Sequence, residues 1–301
     1  MSSSITRRSF LQASAATAIG LAAIGGGRAQ EAERQAPVGE LPPLPVQLVD
    51  VNVNLSRWPL RRVRFDETEE LVAKLRRQGV AQAWAGSFDA LLHKDLAESN
   101  AILVDECLRR GARMMVPFGT INPKMPDWEE EFRRCAEQHR MPGIRLFPNY
   151  HGYKLDDPEF ARLLRMASNR RMVVQIAVKM EDERMMHPLL RVEAVDTAPL
   201  VDLMRDYSGL RVVLMNALGV LRGEALVKLL GAGEVYVEIS MLEGVGGIER
   251  LLEQTPVSRV LFGSYAPLFY FESALLKLRE STLDEDQLNS ICGANARRLL
   301  S

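Results

Sequence analysis

The densest run of chemistry-bearing side chains is Glu181-Asp182-Glu183-Arg184, followed closely by His187. A carboxylate and an imidazole four residues apart, Glu183 and His187, are a candidate acid–base pair, and Arg184 with His187 is a candidate clamp for an anion. Glu238 ends an apolar run and is a candidate general base whose ionisation depends on its neighbours. Arg145 lies in an apolar run, where a guanidinium is costly unless paired, and Glu238 is its candidate partner. Asn52, Asn54, Asn216 and Tyr265 also sit at the ends of apolar runs. Three amides and a phenol would form a hydrogen-bonding floor for a sugar, a peptide end or a carboxylate. Arg57, together with Asn149 and His151 in Asn149-Tyr150-His151-Gly152-Tyr153, completes the set of candidate ligand contacts. Each has a plainer alternative: a solvated charged loop for 181–187, a packed loop histidine for His151, a polar network filling a hole for the amides. His93 reads as a surface residue, and His139 as the complement of a helix C-terminus.

The elements that must hold these residues alternate regularly. Short apolar runs at 46–54, 81–86, 114–120, 143–147, 172–178, 211–215, 235–240 and 259–263 read as strands, each followed by an amphipathic helical stretch. Leu71, Val72 and Leu75 mark the buried face of the first helix, and a last helix spans 284–300. Eight βα units predict an α/β fold, a (β/α)8 TIM barrel over 46–301. No Gly-rich phosphate loop follows the first strand, which argues against a dinucleotide-binding open sheet. In a barrel the chemistry gathers where strands end, and the candidates above fall there. The long connection 179–197 reads as a lid or active-site loop.

Charge and composition narrow the partners. The 301 residues carry a net charge of -1, with no basic surplus for nucleic acid. A small molecule is the expected partner, with a second copy of the chain as a further candidate. Cys107, Cys135 and Cys292 are too few and too widely spaced for a disulfide framework or a zinc site, and read as small buried hydrophobes. The N-terminus opens Thr6-Arg7-Arg8-Ser9-Phe10-Leu11, followed by an Ala-rich apolar stretch and small residues up to Ala29. That order resembles a twin-arginine export signal over 1–29, and the apolar run is short for a membrane span. The Tat translocase is then a partner during export, and the destination is periplasmic or extracellular. Removing 1–29 removes three arginines and no acid, which takes the net charge from -1 to -4. Residues 30–45 read as a linker.

Four segments resemble the amidohydrolase-related family. Val49-Asp50-Val51-Asn52-Val53-Asn54 resembles an opening strand that normally ends His-x-His. Gly143-Ile144-Arg145-Leu146 with Leu155-Asp156-Asp157-Pro158 resembles the fourth βα unit. Phe262-Gly263-Ser264-Tyr265-Ala266-Pro267 resembles Phe-Gly-Ser-Asp-x-Pro, and Gly293-Ala294-Asn295-Ala296-Arg297-Arg298-Leu299 resembles the closing helix. The resemblance implies a metal-dependent-hydrolase-like barrel, from a family of hydrolases and decarboxylases. The residues it implies as metal ligands fall at Asn52, Asn54, Ile176 or Ala177, Asn216 and Tyr265, so all five are replaced. A catalytic zinc needs about three strong donors, and neither a neutral amide nor an alkyl group supplies one. The expectation is therefore no metal ligand and no cofactor. A metal held by other donors such as His151, His187 and Glu238 stays open. Two functional readings also stay open: an exported hydrolase or lyase with a remodelled, metal-free site, and a non-catalytic binding or scaffold protein on the same barrel.

Overall fold

Runs of valine, isoleucine and leucine covered on both faces favour parallel strands, because a parallel sheet is buried on each side. In the computed structural model, which describes residues 42–207 and 209–301, these runs form β1 (Leu48–Leu55), β2 (Val80–Ser87), β3 (Met115–Pro117), β4 (Gly119–Thr120), β5 (Gly143–Leu146), β6 (Val173–Ala177), β7 (Arg211–Met215), β8 (Glu234–Glu238) and β9 (Val260–Leu261). The chain divides into two units, Met1–Glu40 and Leu41–Ser301, and the described residues belong to the second. The signal read at 1–29, and the linker up to residue 41, lie outside the described residues.

The pairings are parallel, in the orders β1-β2-β3 and β4-β5-β6-β7-β8-β9. β3 and β4 are halves of one strand: the first pairs with β2 and the second with β5, which joins the two sheets. The other seam closes between the segment after β9 and β1. There Val51 N donates to Phe262 O (3.0 Å), Tyr265 N to Asn52 O (2.8 Å) and Asn54 N to Ala266 O (2.9 Å). Eight strand positions thus close into the (β/α)8 barrel that the alternation predicts.

The helices cover the outside. Leu71, Val72 and Leu75 are buried on helix Thr68–Arg77, as the periodicity implies, and Phe160, Leu163, Leu164 and Ala167 are buried on Pro158–Asn169. The latter starts on an Asp157 cap with proline at its first position. The second helix begins at Leu96, where Asp95 caps it by accepting from Glu98 N (2.9 Å). The helix that starts at Trp128 and the last helix, expected over 284–300, each contain a π-turn, at Arg134–Gln138 and Ser290–Ala294. In the second turn Ile291 O accepts Phe262 N (2.9 Å). That explains why β9 is shorter than its apolar run: past Leu261 the backbone bonds the last helix and β1. The three cysteines are free and buried. Among the described residues no helix is long and apolar enough to cross a membrane.

Asn295 shows what the Gly-x-Asn-Ala segment does. Its Nδ2 donates to Val257 O (2.8 Å) and Val260 O (2.9 Å), which stitches the last helix to β9. Asn295→Ala leaves those carbonyls without their donor and is expected to cost about 2 kcal/mol in urea denaturation. A loss below about 0.5 kcal/mol would show that water replaces the amide.

Candidate functional site

The barrel interior at the strand ends is polar. The first cluster forms around Glu238 at the end of β8. Its Oε1 accepts from Asn216 N (2.6 Å), Asn52 Nδ2 (3.2 Å) and Ser240 Oγ (2.7 Å), and its Oε2 accepts from Ser240 N (2.6 Å). Asn52 Nδ2 also donates to Asn216 Oδ1 (2.8 Å), and Ser240 Oγ lies 2.9 Å from the same oxygen. One hydroxyl proton serves two acceptors there. All four residues are buried. Two atoms of the cluster, Asn52 Oδ1 and Asn216 Nδ2, are buried without a hydrogen-bond partner. Asn216 holds a left-handed backbone (φ 56°), which asparagine tolerates better than most side chains. Gly263 is required by packing: a Cβ there would stand 2.3 Å from Glu238 Oε2. Lys277 reaches the cluster's edge by donating to Ser240 O (2.7 Å). Burial holds its ammonium below the ordinary lysine range, against the pull of Glu238.

The second cluster surrounds Arg145 on β5, whose side chain is fully buried. Nε donates to Gln175 Oε1 (2.8 Å), and Nη1 to Val53 O and Asn54 Oδ1 (2.7 Å each). Nη2 donates to Trp84 O (3.0 Å) and Val51 O (3.4 Å). Gly86 makes room, since a Cβ there would stand 2.6 Å from Arg145 Cδ and Nη1. Burial pulls the guanidinium down to about 9, opposed by the more distant Asp50, Tyr265 and Glu238, so it stays charged at neutral pH. Among the described residues no carboxylate forms a salt bridge with it. The expected pairing with Glu238 is replaced by contact with neutral acceptors.

Asp50 and Tyr265 complete the interior. Asp50 Oδ1 accepts from Ser264 N (3.0 Å) and Asn52 N (3.1 Å), and Oδ2 from Ser264 Oγ (2.5 Å). Burial raises its carboxyl to about 7 against those hydrogen bonds. Tyr265 is buried and donates its hydroxyl to Met180 O (2.9 Å). Burial lifts that phenol well above its ordinary range. Of the four residues expected to form one floor, the side chains of Asn52 and Asn216 bond each other, whereas Asn54 bonds Arg145 and Tyr265 bonds Met180, and all four are buried.

The loop candidates lie elsewhere. Glu183 is 83% exposed and pairs with Lys179 (3.9 Å), while His187 Nδ1 accepts Leu189 N (3.2 Å), so the two do not form the expected acid–base couple. Arg184, 89% exposed, bonds Asp182 within its own loop rather than His187. Arg57 pairs with Glu67 on the rim. Asn149 Nδ2 donates to Glu193 O (2.7 Å). His151 Nε2 bonds Ala90 O (2.9 Å), and burial lowers its pKa. Asp50 and Gln175 were not picked out from the sequence. Asp50 shares the alternation of Asn52 and Asn54, and Gln175 is the polar residue in the otherwise apolar β6.

Residues 55–301 match the family model described as amidohydrolase, so the chain belongs to the amidohydrolase family. None of the curated proteins compared matches it. Solved structures share the fold. The 2,6-dihydroxybenzoate decarboxylase from Rhizobium superposes with a TM-score of 0.65 at 13% identity, covering 84% of this chain and 98% of that one. The 5-carboxyvanillate decarboxylase from Novosphingobium aromaticivorans, with bound manganese, gives 0.65 at 14%, covering 85% and 97%. A dihydroxybenzoic acid decarboxylase from Polaromonas, with bound manganese and 2-nitroresorcinol, gives 0.65 at 12%, covering 84% and 96%.

These manganese-bearing relatives correct the expectation of a barrel without a cofactor. That expectation was set by zinc, which favours nitrogen and sulfur donors, whereas manganese is a harder ion that oxygen donors suit. Judged by the chain's own residues, the fit is poor in the arrangement described. The oxygens of Asp50 and Glu238 accept protein donors, and among the described residues no three of His, Cys, Asp and Glu gather as a metal site. Asn52 Oδ1 is a buried oxygen of the Glu238 cluster left without a hydrogen-bond partner. No chemical step is assigned to a metal in this chain.

Asp50 gives this interior a pH signature. Its folded value of about 7 lies above its ordinary 3.8, so between about 4 and 7 the folded chain holds a proton that the unfolded chain has lost. Its contribution to stability is fully present below about 4 and declines as pH rises towards 7. The stability of wild type minus that of Asp50→Asn, measured by urea denaturation, is expected to fall by about 1.4 kcal/mol per unit of pKa difference across that window. A flat difference would show that the carboxyl is ionised throughout.

Proposed function

We propose that this member of the amidohydrolase family is an exported hydrolase or lyase acting on a small molecule at the C-terminal mouth of its barrel. The observation that carries the reading is the concentration of buried polar side chains at the strand ends: Asp50, Asn52, Asn54, Arg145, Gln175, Asn216, Glu238 and Ser240. Stability alone favours apolar packing in such an interior, because each buried polar group must recover its lost hydration. In a barrel this is also where substrates are handled.

In this reading Glu238 moves the proton. It is held by four donors, and Asn52 and Asn216 each bond it while keeping one amide atom free. Those free atoms, an acceptor and a donor, suit a substrate carrying both functions side by side, such as a carboxylic acid or an amide. The positive charge of Arg145 favours negative charge developing on the substrate. The decarboxylase relatives support the lyase form, with a carboxylated small molecule as substrate. The complete satisfaction of Arg145 and the burial of the amides favour a second reading, a protein that binds such a molecule without converting it.

A screen of carboxylic acids, amides and lactones, followed for both turnover and melting shifts, separates the two. For the enzyme, Glu238→Gln is expected to lower kcat by about 100-fold or more with the fold retained by circular dichroism. Melting shifts without turnover would select the binding protein instead. Export is read from Arg7-Arg8, with the Tat translocase as carrier and the periplasm or the medium as destination. Replacing both arginines with lysine is expected to hold the full chain in the cytoplasm on fractionation, and unchanged export would remove this part of the proposal.

A further inference from the structure

For a small molecule to meet Asn52, Asn216 and Glu238, something must move, because all three are fully buried. The segment positioned to move is the connection 179–197 after β6. It carries no helix or strand, and it alternates between buried anchors and exposed stretches. Met180, Glu181, Met186 and Val195 are buried, whereas Met185 and Leu189 are exposed apolar residues on its tip. Met180 belongs to a buried apolar cluster that includes Trp58, Phe88, Phe147, Met215 and Tyr265.

Few polar ties hold this segment to the barrel. Tyr265 donates its hydroxyl to Met180 O (2.9 Å). Glu181, buried, pairs with Arg61 of the loop after β1. At the far end Asn149 donates to Glu193 O (2.7 Å), and Val195 N to Val178 O (2.8 Å). The first two ties lie side by side on Met180 and Glu181, next to the buried cluster. The last two hold the returning end, and the Val195–Val178 bond brings that end back beside the start of the segment, where a hinge belongs. A loop whose two ends are pinned together, with few ties to the barrel and exposed apolar residues between them, can open locally without unfolding the barrel.

We infer that residues 179–197 form a lid, closed in this structure, whose latch is the pair of contacts Tyr265–Met180 and Arg61–Glu181. The inference rests on the reading that the barrel mouth takes a small molecule. Tyr265 has a defined part in it: standing at the eighth strand end, it fills the mouth with its ring and holds the lid with its hydroxyl. It is a positioning residue, and the ring and the hydroxyl separate on substitution to phenylalanine.

Hydrogen exchange followed by mass spectrometry on the full chain tests the lid directly. Tyr265→Phe and Glu181→Gln are each expected to speed exchange across 179–197 by about tenfold while β1, β7 and β8 keep their protection. Asp105→Asn, which breaks an exposed pair with Arg109 outside the lid, is the control and is expected to leave the segment unchanged. Exchange within twofold of wild type in both latch variants would overturn the lid. So would acceleration spread equally over the barrel strands, which would make these contacts part of the global fold. Turnover is not read, so a protein without activity leaves this result standing, and a missing lid leaves the catalytic reading to its own test.

Discussion

A guanidinium enclosed in a protein interior must have every N–H satisfied, and Arg145 sets that demand at the centre of this barrel. Its acceptors come from β1, β2 and β6, while the residue itself sits on β5. One side chain therefore ties four strand positions around the interior, including strands far apart in the chain. Removing an acceptor would strand a buried charge, which costs more than the hydrogen bond itself. The demand reaches into the backbone of neighbouring strands: Gly86 stays small because the guanidinium occupies the space a Cβ would need.

The Glu238 cluster obeys the same rule with the opposite sign. A buried carboxylate collects two backbone N–H groups and two side-chain donors, and Gly263 leaves room for it. Asn52 takes part by donating its Nδ2 to both the carboxylate and Asn216 Oδ1, and Asn216 by donating its backbone N–H to the carboxylate. An imidazole at either position would offer a single lone pair in its neutral form, the chemistry of a metal ligand. The manganese-bearing relatives show that barrels of this fold accommodate a hard ion. In this chain the interior oxygens are directed at protein donors.

Closure follows from the same polarity. An interior of charges and amides keeps its hydrogen bonds strong when water is excluded, and here the exclusion comes from Tyr265, Met180 and the aromatic residues around them. The mouth is roofed by side chains from several loops, so access depends on the contacts among those loops more than on the barrel strands.

Much of this was legible in the sequence. The alternation of apolar runs and amphipathic stretches determined the eightfold barrel, because strand and helix periodicities are local. The order of four segments, from Val49 to Leu299, pointed to the family, and the polar ends of the runs marked Asn52, Asn54, Arg145, Asn216 and Glu238 as special. Tertiary structure decided which of them meet. Asn52 reaches Asn216 across 164 residues and Glu238 across 186, and no local pattern encodes such a pairing. Arg145 was readable as a buried cation, but its partners are mostly backbone carbonyls, which every residue carries and no sequence distinguishes. Glu183 and His187 stand four apart on paper, yet an irregular loop does not impose helical spacing and their side chains part. The sequence thus determined the barrel and the polar character of its mouth. The closed surface of that mouth arose only when loops distant in the chain packed over it.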